Sequence, residues 1–390
     1  MKPDLLNYIR EFGEKSFEEI PFSEVDSLVL AEMTYWKFDG LVSGFRNGKA
    51  VRGPVSLKDL QEHPDRENMF TDEVYGKRYR KFFQLLCGGR RYRNLRMNYF
   101  VNFIDADREI QFSAITFFLE NGVRYVGYRG TDETLVGWKE DFNMSFMKGV
   151  PSQRAALAYF RRVASLCSGP LMTGGHSKGG NLAVYAASCC EQEIQERILT
   201  IYSFDGPGFQ KEFYQNSGYR RIQDKIYKIV PGYSVVGMVL YNKMRARTVE
   251  SFGKGMLQHD PFTWIIKNGR LQYRHDIYRR VSHKMKVLNL WIDSLSTEQI
   301  QDFVEISYGI LSAAEAENVY AFVKGPIRYL LRMLRALRGL DRTAGKLLAT
   351  VFGKLLEARR QAARSIVSGA SGNRSGKWKP SRSRSADRSA

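Results

Sequence analysis

The chain has 390 residues, 43% of them hydrophobic, and a formal net charge of +19. That length and apolar content support a full core and exclude disorder over most of the chain. The charge is not spread as in a nucleic-acid-binding domain, because from Arg328 onward 16 Lys and Arg face only Asp341, Glu357 and Asp387, which places +13 of the +19 there.

The N-terminal MKPDLLNYIREFGEKSFEEI lacks the apolar stretch of a signal peptide, and no apolar run reaches bilayer-spanning length. A cytoplasmic protein is expected, with Cys87, Cys167, Cys189 and Cys190 as free thiols, since no CxxC or metal-ligand spacing is present. Residues 1–110 are expected to form a helical N-terminal cap, with helices over 4–12, 24–35 and 75–86. At 111 the texture changes. Phe112–Leu119 and Val123–Tyr128 are β-rich and joined by Glu120-Asn121-Gly122, a hairpin signal. A helix from Ser152 to about Cys167 stops at Gly169-Pro170, and a strand over Pro170–Gly174 is followed by a helix to about Gln192. Arg197–Phe204 and Lys225–Val230 are further strands. This alternation predicts parallel βαβ units and an α/β sheet over 111–300. Short β-stretches at Thr248–Ser251 and around Asn268-Gly269 close that core. From 276 the pattern is helical, giving a basic helical extension over 301–368 and a Ser/Arg-rich tail over 369–390 that is expected to be disordered.

Gly175-His176-Ser177-Lys178-Gly179 fits G-x-S-x-G, with a β-run before it and a small-residue helix after it. In a nucleophile elbow the serine sits on a sharp strand-to-helix turn, and the glycines on either side avoid clashes there. The alternative is a tight βα turn whose serine caps the helix. A Walker loop is excluded by the spacing.

A serine nucleophile needs a base, and the chain has five histidines: His63, His176, His259, His275 and His283. His176 adjoins the serine, where a packing role is expected. His63 precedes the sheet, and His275 and His283 open or ride a basic helix. His259, in the loop GKGMLQHDPFTW beyond the last main strand, fits the nucleophile–acid–histidine order of α/β-hydrolases, the alternative being an ordinary surface-loop histidine. Among acids, Asp205 ends a strand in SFDGPGF, whereas Asp224 precedes one and Asp260 adjoins His259 itself. Asp205 is therefore the candidate, although an aspartate before Gly-Pro-Gly is also a good turn residue. Oxyanion donors are expected from the N–H of Lys178 and from Thr131, in the loop after Val123–Tyr128; an ordinary polar turn is the alternative there.

YRGTDETLVGWKEDF, TGGHSKGGNLA and SFDGPGF resemble, in order, the blocks of class 3, fungal-type lipases. FEEIPFSEVDSLVLAEMTY, GHSKGGNLAVYAA, FDGPGF, PGYSVVGM and QHDPFTW are similar to the bacterial Mbeg-like family of lipase-like α/β-hydrolases, over roughly residues 1–300. The class 3 resemblance implies Ser177 as nucleophile, His259 as base and Gly130-Thr131 as oxyanion donor. It departs at the acid, because the strand where those lipases carry it runs here into Pro231-Gly232-Tyr233-Ser234, so either Asp205 acts one strand earlier or the triad is incomplete.

The expected protein is thus an α/β-hydrolase-fold serine esterase acting through Ser177, His259 and Asp205 on a small-molecule or lipid ester, with no metal or organic cofactor. The rival expectation is a catalytically silent binding or scaffold protein on the same fold. On a helical projection Arg328, Arg332, Arg335, Arg338 and Arg342 share one side, and Tyr329, Leu330, Met333, Leu334, Leu337 and Leu340 the other. Such a helix suits an anionic membrane surface, which would place the protein at the inner face of the membrane; the alternative is a helix docked on the hydrolase core with its arginines in water. The tail, with Trp378, suits weak contact with nucleic-acid phosphates.

Overall fold

Nine strands form the central sheet of the computed structural model, which describes residues 2–46, 49–72, 74–132, 134–275, 277, 279–313 and 326–372. They are β1 (Val55–Ser56), β2 (Arg96–Asp105), β3 (Ile110–Phe118), β4 (Arg124–Tyr128), β5 (Leu171–His176), β6 (Ile198–Phe204), β7 (Ile226–Pro231), β8 (Ala246–Val249) and β9 (Tyr273–Arg274). Their order across the sheet is their order along the chain. Strands β4 to β8 run parallel. Antiparallel pairs flank them, β1 to β4 on one side and β9 on the other.

The two faces follow the period of two along each strand. Ile115, Phe117, Tyr125, Tyr202 and Phe204 turn to one core. There they meet helices α1 (Leu5–Phe12), α2 (Glu24–Met33) and α3 (Gly76–Gly88). Phe112, Ala114, Val126, Tyr128 and Ile201 turn to the other core. Helices α5 (Pro151–Ser165) and α6 (Lys178–Cys189) cover that face, after α4 (Leu135–Asn143). The layer of α1 to α3 is tied by a buried ion pair in which Arg91 donates from Nε and Nη2 to the Asp26 carboxylate, each at 2.7 Å. Tyr8 and Tyr92 add hydroxyl donors to the same carboxylate. Multiple donors of this kind offset the desolvation of a buried charge.

Residues 1–110 are not purely helical: β1 and β2 extend the sheet. The alternation that would reveal β2 is broken by a register shift between Asn98 and Val101, where Tyr99 adopts φ +61°. Helix α4 is a second addition to the sequence reading.

The described part of the extension beyond 276 is built of helices joined by short turns, α7 (Arg279–Ser294), α8 (Thr297–Ser312), α9 (Pro326–Arg338) and α10 (Arg342–Gly372). Lys139 on α4 bridges to the core through Glu109 at 2.7 Å and to α8 through Glu305 at 2.8 Å. Trp291 on α7 donates its indole N–H to Val351 O at 2.8 Å. On α9 the apolar arc is only partly covered. Leu334 and Leu337 are 40% and 41% exposed, beside the exposed Arg335 and Arg338. Residues 373–390, which hold most of the expected tail and Trp378, lie outside the described residues. No helix among the described residues is long and apolar enough to cross a membrane.

Candidate active site

Ser177 stands between β5 and α6 at φ +56°, ψ −131°, a left-handed conformation that costs a residue with a side chain about 1–3 kcal/mol. The turn is held by Ser177 N–H donating to Phe204 O and Gly180 N–H donating to Ser177 O, both at 2.9 Å. The glycines of the motif are required by close approach: a Cβ on Gly175 would lie 2.5 Å from Tyr128 O, and one on Gly179 2.1 Å from it. Strand β4 could not then pack beside the turn.

The next parallel strand, β6, ends at Phe204, and Asp205 follows at φ +48°. Both residues therefore leave adjacent strands at the same, carboxyl, end of the sheet. His259 comes from a 3₁₀ turn, Gly255–His259, and its Nδ1 lies 2.7 Å from Asp205 Oδ2. A carboxylate only accepts, so Nδ1 carries the proton and Nε2 is the open acceptor. Asp205 is fully buried; its other oxygen accepts from the equally buried Ser234 hydroxyl at 2.5 Å. Beneath it Lys228 is buried and donates to Gly206 O at 2.6 Å. Burial pushes that amine down to about 7, while the charge of Asp205 acts the other way.

The loop carrying His259 is pinned by its neighbour. Gln258 accepts from Tyr233 N–H at 2.7 Å, and its carbonyl accepts from the Trp264 indole at 2.8 Å. His176 adds a link from the nucleophile strand: its Nε2–H donates to His259 O at 2.9 Å, and Tyr35 donates its hydroxyl to Nδ1 at 3.2 Å. Burial, and then the proximity of His259, hold the His176 pKa well below the ordinary histidine value, so its ring stays neutral. The side chain expected only to pack thus ties β5 to the His259 main chain.

Thr131 donates its hydroxyl to Asp141 Oδ2 at 2.5 Å, which leaves its backbone N–H as the group to consider for an oxyanion. Burial pushes the Asp141 carboxyl up to about 6. The Lys178 side chain turns inward, where its ammonium donates to Gln111 Oε1 at 2.6 Å and pairs with Glu140 Oε2 at 3.1 Å, all buried. Its N–H heads α6 and has no intrahelical acceptor. A cavity of about 600 Å³ is lined by Ser177, His259, His176 and Thr131 among others.

The other candidates have other positions or partners, although Asp260 also lines the cavity. Asp224 sits in the turn before β7, at the opposite end of that strand from Asp205. Asp260 turns away to Arg78 at 2.6 Å and caps Phe262 N–H. His63 ends a short surface helix, and its ring accepts from Asp65 N–H; His275 is exposed, and His283 rides α7. Ser234 and Tyr35 were not singled out by sequence. A search for any polar side chain at the end of β7 would have found Ser234 in PGYSVVGM.

The Ser234 bond predicts a measurable cost. A hydrogen bond to a charged group contributes about 1.5–3 kcal/mol, so Ser234→Ala should lower the unfolding free energy by about that amount. Denaturant unfolding at neutral pH measures it, and an unchanged midpoint would show that the bond contributes nothing.

Topology and site geometry together define an α/β protein with a mostly parallel sheet of the hydrolase type. The profile of the Mbeg1-like family matches residues 86–309, more than half of the chain, and the chain belongs to that family. Block 17–35 of the sequence resemblance lies outside the matched span. No curated protein sequence matches the chain. Among solved structures, M37 lipase is similar at 13% identity and TM-score 0.35, covering 56% of this chain and 70% of that one. The Rhizomucor miehei lipase propeptide complex is similar at 12% identity and TM-score 0.28, covering 44% and 66%. At such distances neither lipase assigns a role to any residue here.

Proposed function

We propose that this chain is a serine hydrolase that cleaves carboxylic esters. The observation that carries the proposal is the 2.7 Å bond between His259 and the buried Asp205, on a residue that lines one cavity with the strained Ser177. In the first half-reaction the Ser177 oxygen bonds to the acyl carbon while His259 Nε2 takes its proton. The tetrahedral oxyanion faces the N–H groups of Lys178 and Thr131. Its collapse breaks the ester C–O bond, and His259 returns the proton to the leaving alcohol. Water then attacks the acyl-serine, with His259 taking its proton; the Ser177–carbon bond breaks, the proton returns to Ser177 and the carboxylic acid departs. Asp205 fixes the tautomer and stabilises the imidazolium.

A rapid-quench assay with short p-nitrophenyl esters tests this scheme. Release of one equivalent of nitrophenol per chain ahead of steady turnover is the expected fingerprint of an acyl-enzyme that hydrolyses slowly. Complete inertness toward these esters would count against it.

An anionic membrane surface is the partner proposed for α9, on the strength of the exposed Leu334 and Leu337 beside the exposed Arg335 and Arg338. Each basic residue near such a surface contributes about 1 kcal/mol, so Arg335→Gln with Arg338→Gln should weaken binding roughly thirty-fold. Co-sedimentation with phosphatidylserine-containing vesicles at low salt reads this directly. Wild-type protein that stays in the supernatant would remove the membrane partner.

A further inference from the structure

Three buried polar atoms on residues that line the cavity beside Ser177, namely Glu32 Oε1, Arg78 Nε and Arg129 Nε, make no hydrogen bond among the described residues, although His176 Nδ1 stands 3.4 Å from Glu32 Oε1. Bare buried polar atoms are costly and uncommon, so three around one cavity point to a polar occupant. Arg129 is only 6% exposed, and its Nη2 reaches Asn102 Oδ1 at 3.0 Å and Asp132 Oδ2 at 3.4 Å. It directly precedes Gly130, which lies against the serine: a Cβ built there would be 3.1 Å from Ser177 Cβ.

The carboxylates of the cavity are occupied. Asp260 holds Arg78 Nη1, Asp132 accepts from Thr134, and Asp72 accepts from the N–H groups of Val74 and Tyr75. Burial, reinforced by Asp260, pushes the Glu32 carboxyl up to about 8, so at neutral pH it is a protonated donor. Two guanidinium groups, Arg78 and Arg129, and the neutral Glu32 acid thus line one cavity with Ser177. The mouth has the opposite character, because the rim residues Val74, Ile104, Met256 and Leu257 are exposed and apolar, Leu257 at 68%.

We propose that the cavity takes an ester with one anionic end, a carboxylate or phosphate, held inside by Arg129, Arg78 and Glu32 while its apolar end lies along the rim. This substrate class rests on the esterase reading of Ser177. The two are separated by comparing mono-p-nitrophenyl glutarate with p-nitrophenyl valerate, which share an acyl length and a leaving group. Wild type should hydrolyse the anionic ester with kcat/KM about tenfold or more above the neutral one, and Arg129→Gln should lower that ratio about tenfold, with Arg129→Lys between. Glutarate and inorganic phosphate, tested separately as competitors of the neutral ester, give a readout that needs no variant. Competition by either supports the anionic end and shows which anion fits. Equal rates on the two esters, or competition by neither anion, overturns the proposal and leaves the esterase reading standing. Hydrolysis of neither ester overturns both.

Discussion

Ser177→Ala should lower kcat for p-nitrophenyl esters by about 10⁶-fold, leaving only the residual rate that binding and the oxyanion donors supply, and should leave the fold intact. The hydroxyl opens on a cavity and makes no bond on which the turn depends; the turn is held by main-chain bonds of Ser177 and Gly180 to their neighbours. Alanine also meets the positive φ no worse than serine does, so the unfolding midpoint should be nearly unchanged. Loss of activity without loss of stability is the signature to look for. Residual turnover near the wild-type level would mean that another group attacks the ester.

Asp205→Asn should lower kcat by about 10⁴-fold, the scale of the corresponding triad substitution in a serine protease. The amide can turn in two ways. With its NH₂ toward His259 it forces the proton from Nδ1 to Nε2, and the ring can no longer accept from Ser177. With its oxygen toward His259 it keeps the tautomer but presents no negative charge to the imidazolium. Asp224→Asn, at the far end of the neighbouring strand, should leave the rate unchanged. A fully active Asp205→Asn enzyme would remove Asp205 from the mechanism, and its inactivation should be compared with that of Ser177→Ala in the same assay.

The parts of this arrangement that were legible in sequence are those set by local chemistry. Asn121-Gly122 between two β-rich runs gives the β3–β4 hairpin, and the glycines around Ser177 mark a turn where backbone comes within contact of Tyr128. The positions of Asp205 and His259 followed from chain order and strand ends, because parallel strands deliver their carboxyl ends to one edge. What stayed hidden depends on contacts between distant segments. Strand β2 was concealed by its bulge at Tyr99, which breaks the period of two. Ser234 bonds Asp205 across 29 residues, and His176 reaches His259 O across 83. The inward turn of Lys178 toward Glu140 likewise has no local signal, since a lysine inside a glycine-rich turn reads as solvated until its partner is found. The apolar arc of α9 was visible on a helical projection, but that Leu334 and Leu337 stay uncovered depends on how the extension packs.

The activation of Ser177 is tested most directly by exposing the purified full chain to a fluorophosphonate at neutral pH and mapping the adduct by mass spectrometry. The hydroxyl is phosphonylated only when a base takes its proton as the phosphorus–oxygen bond forms. The expected result is stoichiometric modification at Ser177, abolished in Ser177→Ala and strongly slowed in Asp205→Asn. An unmodified Ser177 under conditions that fully label a control serine esterase would contradict it.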